Sequence, residues 1–370
     1  MQKENLAPPP RVLPAAEYER RLKALVAALR RRKLDGAVIT EGVSRLYYTG
    51  FESSAGTLLV DADEGPVFVV DFRYILMARK AMPFAKCVLQ KGGAASQVAR
   101  HTRRWRSAGY EGRMSVTAFE RLRKSLADIA SWEAVDEIIA GQRSVKSAAE
   151  QKALRRAIAA NDRLYADVLG KIRPGMTEWD VRGLFRQGAD RFAQGESFAT
   201  IVCAGANGAE CHHEPDLTPI PSRGPVLMDF GVVLDHYCSD MTRCVSFGKP
   251  SPFYRKIYDI VLEANRKAVA RIRPGMTGAE VDAVARRHIE KAGYGDAFAH
   301  SLGHSVGMEI HEGPNFSTGE KRVIKPGMVI TVEPGIYLPG RLGVRIEDVV
   351  LVTRTGCECL TASPRELTVL

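Results

Sequence analysis

Apolar positions along this chain fall into alternating helical and extended patterns. Residues 17–33 (EYERRLKALVAALRRRK) place Leu22, Leu25, Val26 and Leu29 at helical spacing. GAVIT at 36–40 reads as a short buried strand. GTLLVDADEGPVFVVD at 56–71 is two apolar runs about an acidic turn with Gly65, a hairpin pattern. A helix from Arg73 to Met82, a strand over 86–90 and a helix over 95–106 follow. This alternation predicts an α/β domain over residues 15–145, preceded by a Pro-rich arm at 1–14. The domain contains neither GxGxxG nor a phosphate loop.

Residues 146–170 form the longest clean helical pattern, which stops at Gly170 with Pro174 beyond. A second domain, 146–370, is expected to begin there. It carries a repeat. IRPGMT occurs at 172–177 and again at 272–277. In the same register Gly195 matches Gly295, and Phe198-Ala199 matches Phe298-Ala299. Two related α+β halves packed about a pseudo-two-fold are the economical reading, with a site between them.

Composition narrows the function. No stretch approaches 18 apolar residues and no apolar segment marks a secretory signal, so a cytoplasmic protein is expected. The seven cysteines are scattered without a CxxC pair, which suits reduced thiols. The net charge of +10 is uneven: residues 1–150 hold 25 Lys+Arg against 17 Asp+Glu. The basic residues are spread over stretches such as 19–33 and 121–124 without aromatics between them, so a solvated basic surface is expected and no nucleic-acid partner.

The chemistry lies in the second domain. PVLMDFGVVLDHYCSDMTRCVSF at 225–247 reads as a hairpin about Leu234-Asp235, which would set Asp229 directly opposite Asp240. Facing cross-strand Cβ atoms are about 4.5–5.5 Å apart. Two buried carboxylates that close repel, and a divalent metal resolves the cost. VITVEPGIYLPGRLGVRIEDVVLVT at 329–353 repeats the device, with Glu333 and Glu347 symmetric about Gly340 and Arg345 on the side of Glu347. Between them, AHSLGHSVGMEIHEGP holds His300, His304 and His311, three of eight histidines in the chain. Four carboxylates and an imidazole suit two divalent ions such as Mn²⁺, Co²⁺ or Zn²⁺. Two such ions can share and activate a water. Metal-assisted hydrolysis is therefore the leading reaction class.

The order of DFG with SDMTR, then GHSVGMEIHE, TVEPG and GVRIED, resembles the pita-bread metallopeptidases, and within them the proline-specific branch of aminopeptidase P and prolidase. RLYYTGF (45–51) and VVDFRY (69–74) resemble that branch's creatinase-like N-terminal domain. The resemblance implies five metal ligands: Asp229, Asp240, His304, Glu333 and Glu347. Asp240 and Glu347 would bridge two ions, manganese first among the choices, and Glu333 would also accept a proton. It further implies substrate-facing roles for His300, His311 and His212, with His213 an alternative to His212. Arg345 would organise the metal shell and Tyr337 would lie near the site. Ser305 stands where the family usually has glycine, and Cys211 where it usually has proline. The implied function is an exopeptidase cleaving Xaa–Pro bonds in small proline-containing peptides. Xaa-Pro aminopeptidase is the main expectation, with Xaa-Pro dipeptidase the alternative. A non-catalytic pita-bread binding protein is the reading from another class. A homodimer that uses the N-terminal domain is also implied.

Overall fold

The computed structural model describes residues 13–92 and 94–370. The Pro-rich arm expected at 1–14 lies outside them except for Leu13 and Pro14. The chain divides into two compact units, with the division between Arg143 and Ser144.

The first unit opens with the helix Ala15–Arg31, whose buried face is Tyr18, Leu22, Leu25, Ala28 and Leu29. Its six-stranded mixed sheet has the order Lys86–Leu89, Gly65–Val70, Thr57–Asp61, Gly36–Ile39, Ser107–Tyr110, Ser131–Ala134. The 56–71 hairpin forms, with Asp61 facing Gly65. Val38, Leu59, Val69, Val98 and Trp105 make a core on one face of the sheet. RLYYTGF, read above only as a resemblance, lies at the helix Gly42–Thr49. Gly50 ends that helix at φ 66°, a left-handed cap that costs glycine least. The helix expected from Arg73 to Met82 is shorter, Ile75–Ala81.

The second unit shows how the repeat is used. A capping box of Ser147 and Glu150 starts the helix Ala148–Leu169. In the first IRPGMT copy Gly175 takes φ 86° and its N–H donates to the Ile220 carbonyl; in the second, Gly275 takes φ 95° and donates to Ile324. Thr177 then caps Glu178–Phe192 with Asp180, and Thr277 caps Gly278–Lys291 with Glu280. Each half also spends one buried asparagine on a strand carbonyl: Asn161 Nδ2 donates to Phe230 O, and Asn265 Nδ2 to Val332 O.

Each half carries a sheet. The first has the order Thr368–Val369, Met241–Phe247, Gly224–Phe230, Ile201–Ala204. The second has the order Glu312–Phe316, Gly303–Ser305, Val329–Val332, Asp348–Val352, Cys357–Cys359. Apolar side chains seal each sheet to its helices: Phe185, Val226, Met228 and Phe230 in one half, Ile257, Val261, Ile330 and Val350 in the other. Behind the site, Arg243 is 1% exposed and pairs with Asp348 at 2.7 Å. Its remaining donors reach the carbonyls of Thr242, Glu347, Ser363 and Pro364, so the buried charge is fully bonded. Among the described residues no helix is long and apolar enough to cross a membrane.

Candidate metal centre

The first hairpin corrects one expectation. Met241 faces Phe230 and Thr242 faces Asp229, so Asp240 is not opposite Asp229. The turn is the reason. Leu234 pairs with Tyr237, and the two residues between them, Asp235 and His236, take φ 55° and 65°. Positive φ at both central residues is the type I′ hairpin turn, whose twist matches its strands. The turn sits one residue later than the Leu234-Asp235 reading, which shifts the register by two. A shift of two preserves the face, so both aspartates still point the same way. The second hairpin follows its expected symmetry: Leu338 faces Leu342, Val332 faces Asp348, and Gly340 turns at φ 68°.

These registers bring the acids and His304 together. A carboxylate oxygen of Asp240, one of Glu347 and a ring nitrogen of His304 lie within 4.8 Å of one another. His304 Nε2 is 3.4 Å from Asp240 Oδ2 and 3.5 Å from Glu333 Oε1. Its Nδ1 faces the Ser305 carbonyl at 3.2 Å and so carries the proton, which leaves the Nε2 lone pair aimed at the acids. Asp229 Oδ2 accepts from Arg345 Nη2 at 2.5 Å. Arg345 Nε donates to Thr242 Oγ1 at 2.9 Å, and that hydroxyl donates to Glu347 Oε2 at 2.7 Å. Thr331 plays a similar part, accepting from the His304 N–H and donating to Glu333.

The electrostatics match a cation site. Burial, then Asp229 and Glu333, push Asp240 well above the usual carboxylate range. Burial, then Asp240, Glu333 and Asp229, do the same to Glu347, and burial raises Glu333. Asp229 Oδ1 and Glu347 Oε1 are buried with no partner among the described residues. Orphaned carboxylate oxygens of that kind cost free energy unless something positive meets them. Oxygen donors with one imidazole are a set that divalent first-row ions accept, so the residues present fit such a group.

The other predicted residues surround this cluster. His300 Nδ1 faces the Ser301 carbonyl at 2.8 Å, so its Nε2 accepts from the Tyr337 hydroxyl at 3.0 Å. Tyr337 in turn accepts from Arg345 Nη1 at 2.8 Å. Burial, then the Arg345 charge, push His300 down to about 4, so it is neutral at neutral pH. The His311 ring packs edge-on to His304 with centroids 4.4 Å apart, and burial lowers its pKa. His212 is exposed, and it lies close enough to His300 and His311 for its charge to act on both. His213 points elsewhere. Its Nε2 is 2.8 Å from Glu178 and its Nδ1 3.1 Å from Glu210.

Glu178, His213 and Asp216 also group tightly enough to suggest a cation. Hydrogen bonds already account for this group. Both Glu178 oxygens take donors, from Ala204 N, Asn207 Nδ2, Asp216 N and His213. The two family departures are absorbed locally. Ser305 is buried and its hydroxyl donates to the Pro314 carbonyl. The carbonyl and sulfur of Cys211 face Arg345 Nη1 at 3.4 and 3.5 Å. Sequence reasoning missed Thr242, Thr331 and Glu178. The first lies inside the SDMTR motif, but a threonine in a strand carries no signal of its own.

Residues 152–354 match the family described as "Metallopeptidase family M24", and residues 21–145 match the "Creatinase/Prolidase N-terminal domain". This chain belongs to metallopeptidase family M24. Its architecture is the creatinase-like N-terminal domain followed by the pita-bread domain of that family. Within family M24, the chain is 35% identical over 353 residues to the Xaa-Pro dipeptidase of Pyrococcus furiosus, covering 94% of this chain and 99% of that one. The structure of an Xaa-Pro dipeptidase from Bacillus anthracis superposes with a TM-score of 0.91 at 34% identity, over 95% of this chain and all of the other. An X-Pro aminopeptidase from Thermotoga maritima gives 0.87 at 32% identity, over 93% of this chain and 100% of its own. Family M24 enzymes are divalent-metal hydrolases, so this chain is a metallopeptidase.

Proposed function

We propose that this protein is a cytoplasmic Xaa-Pro dipeptidase that holds two divalent ions, manganese by preference, on Asp229, Asp240, His304, Glu333 and Glu347. Asp240 and Glu347 would serve both ions. The domains are residues 15–145 and 146–370, and the enzyme is a homodimer. The observation that carries the reading is the buried cluster of four carboxylates about His304, set in a chain that is similar over nearly its whole length to Xaa-Pro dipeptidases. An aminopeptidase acting on longer Xaa-Pro peptides is the second reading, favoured by the likeness to the Thermotoga maritima structure.

Bound divalent ions would supply Lewis acidity and lower the pKa of an attacking water. Glu333, raised by burial, is the carboxylate suited to take that water's proton, and Thr331 fixes its rotamer. Arg345 holds Asp229 directly and Glu347 through Thr242, so one buried guanidinium orients acids of both hairpins. Neutral His311 and the exposed His212 can donate to a developing oxyanion. His300 is held neutral by burial and then by the Arg345 charge, with its Nε2 accepting from the Tyr337 hydroxyl. That suits proline, whose nitrogen in a peptide bond has no N–H to donate.

The test is turnover of Xaa-Pro against Xaa-Pro-Yaa during metal titration. The dipeptide is expected to be cleaved and the tripeptide not. Comparable kcat/KM on the tripeptide would transfer the assignment to an aminopeptidase. Two bound ions with no turnover on any Xaa-Pro peptide would instead support a binding protein.

A further inference from the structure

His213 belongs to neither the metal cluster nor the histidines around it, yet it is buried among charges. The charged groups facing it are Glu178 from the helix Glu178–Phe192, and Glu210 and Asp216 from its own loop. Asn207 and Thr218 complete the neutral surroundings: Asn207 Nδ2 is 3.3 Å from His213 Nε2 and 3.2 Å from Thr218 Oγ1. With a carboxylate on each nitrogen, only the doubly protonated ring donates to both. Burial opposes that charge, but the bonds to Glu178 and Glu210 outweigh it and raise the pKa.

The anchor matters because of what the loop carries. Glu178 gathers both ends of the segment 204–216, at Ala204 N and Asp216 N. The middle is pressed against the strand Leu342–Arg345, where a Cβ on Gly343 would sit 1.6 Å from Gly208 O. Cys211 touches Arg345 and His212 follows it, exposed where His213 is buried.

We propose that His213 is a positioning residue for the reaction: bonded to Glu178 and Glu210, it fixes the loop that presents His212 to substrate, and that hold slackens when its ring loses a proton. The inference rests on the proposed substrate role of His212. Glu210 is exposed, so once Nδ1 carries a lone pair the Glu210 carboxylate swings out to solvent and one of the two anchors is gone. A ring whose pKa is raised in the folded loop contributes its full hold at low pH and loses it as pH rises through that raised value.

The experiment measures kcat and KM on an Xaa-Pro dipeptide across pH, with bound metal quantified, for wild type, Glu210→Gln, His212→Ala, His213→Ala and the double alanine variant. A slight displacement of a reacting group costs up to on the order of 10²-fold. His213→Ala is therefore expected to lower kcat by roughly ten- to a hundredfold with metal content unchanged. In the His212→Ala background it should cost nothing further. Glu210→Gln should move the alkaline fall of activity to lower pH. Being on the surface, it keeps the test open if His213→Ala does not fold. Additive losses, or an alkaline limb that Glu210→Gln leaves in place, overturn the proposal. If His212→Ala alone is silent, the assigned role of His212 has failed and this one falls with it; the metal content and the Xaa-Pro activity of wild type report on the enzyme reading separately.

Discussion

The two halves of the second unit share a frame and divide the chemistry. Both begin from the same glycine turn and threonine cap, and both tie an asparagine to a strand carbonyl. They part at the hairpins. The first half offers two short aspartates around a type I′ turn, and Thr242 beside them. The second offers two glutamates, the only imidazole among the proposed ligands, and Arg345. Three bonds that organise the cluster join the two halves in one chain: Arg345 to Asp229, Arg345 to Thr242, and Thr242 to Glu347. A repeat can supply a symmetric scaffold, but a cluster of acids needs a cation, and the guanidinium that serves both hairpins, Arg345, comes from the second half alone.

The sharpest way to break the comparison is to remove an acid from either half. Asp240→Ala and Glu347→Ala are each expected to lose both ions and all turnover, read by metal analysis of the purified protein. Full occupancy in either variant would dissolve the shared site. Thr242→Val removes the hydroxyl between the halves while keeping its shape. Partners of that kind are typically worth 10- to 100-fold in metal affinity, so a loss of about that size is expected in a competition titration with a chelator. An unchanged affinity would mean that the halves are not coupled through this hydroxyl.

The metal-free protein offers a third handle. Burial raises Asp240, Glu333 and Glu347 together, so the folded apo-protein binds more protons than the unfolded chain. Their contribution is fully present below the ordinary carboxylate range and is lost as pH rises through the raised values. With chelator present, the melting temperature should fall from mildly acidic to neutral pH, and Glu347→Gln should flatten the slope. A Glu347→Gln slope as steep as wild type would contradict this. The smallest effects probe the shared frame itself. Thr177→Ala and Thr277→Ala each remove one helix cap, worth about 1 kcal/mol, and in a unit of this size each should lower the melting temperature by roughly 2–4 °C. Calorimetry that found only one of the two costly would show that the halves do not bear equally on folding.

The repeat was legible because six identical residues recur with a fixed physical job, a glycine turn followed by a threonine cap. The second hairpin was legible because Gly340 marks its centre. The first was misplaced by one residue at the turn because Asp235-His236 has no glycine to announce its left-handed backbone. The acids of the cluster could be read from the apolar runs they interrupt. The residues that orient them could not: a threonine at 242 is ordinary until its hydroxyl is found between a guanidinium and a carboxylate. The choice between His212 and His213 needed Glu178, which is 34 residues before His212 in the chain and joined to this loop only by folding.

Arg243 carries a consequence for how the enzyme comes into being. It spans Asp348 and the carbonyls of Ser363 and Pro364, while Thr368–Val369 lies parallel to the strand bearing Thr242. Arg243 therefore ties the strand bearing Thr242 to a segment 120 residues further along the chain. The entropy of closing so long a loop is lost before the contact rewards it, which makes this brace a non-local step of folding. The centre therefore depends on contacts far apart in sequence, and weakening the hold of residues 363–369 on this strand would loosen the centre without touching any proposed ligand.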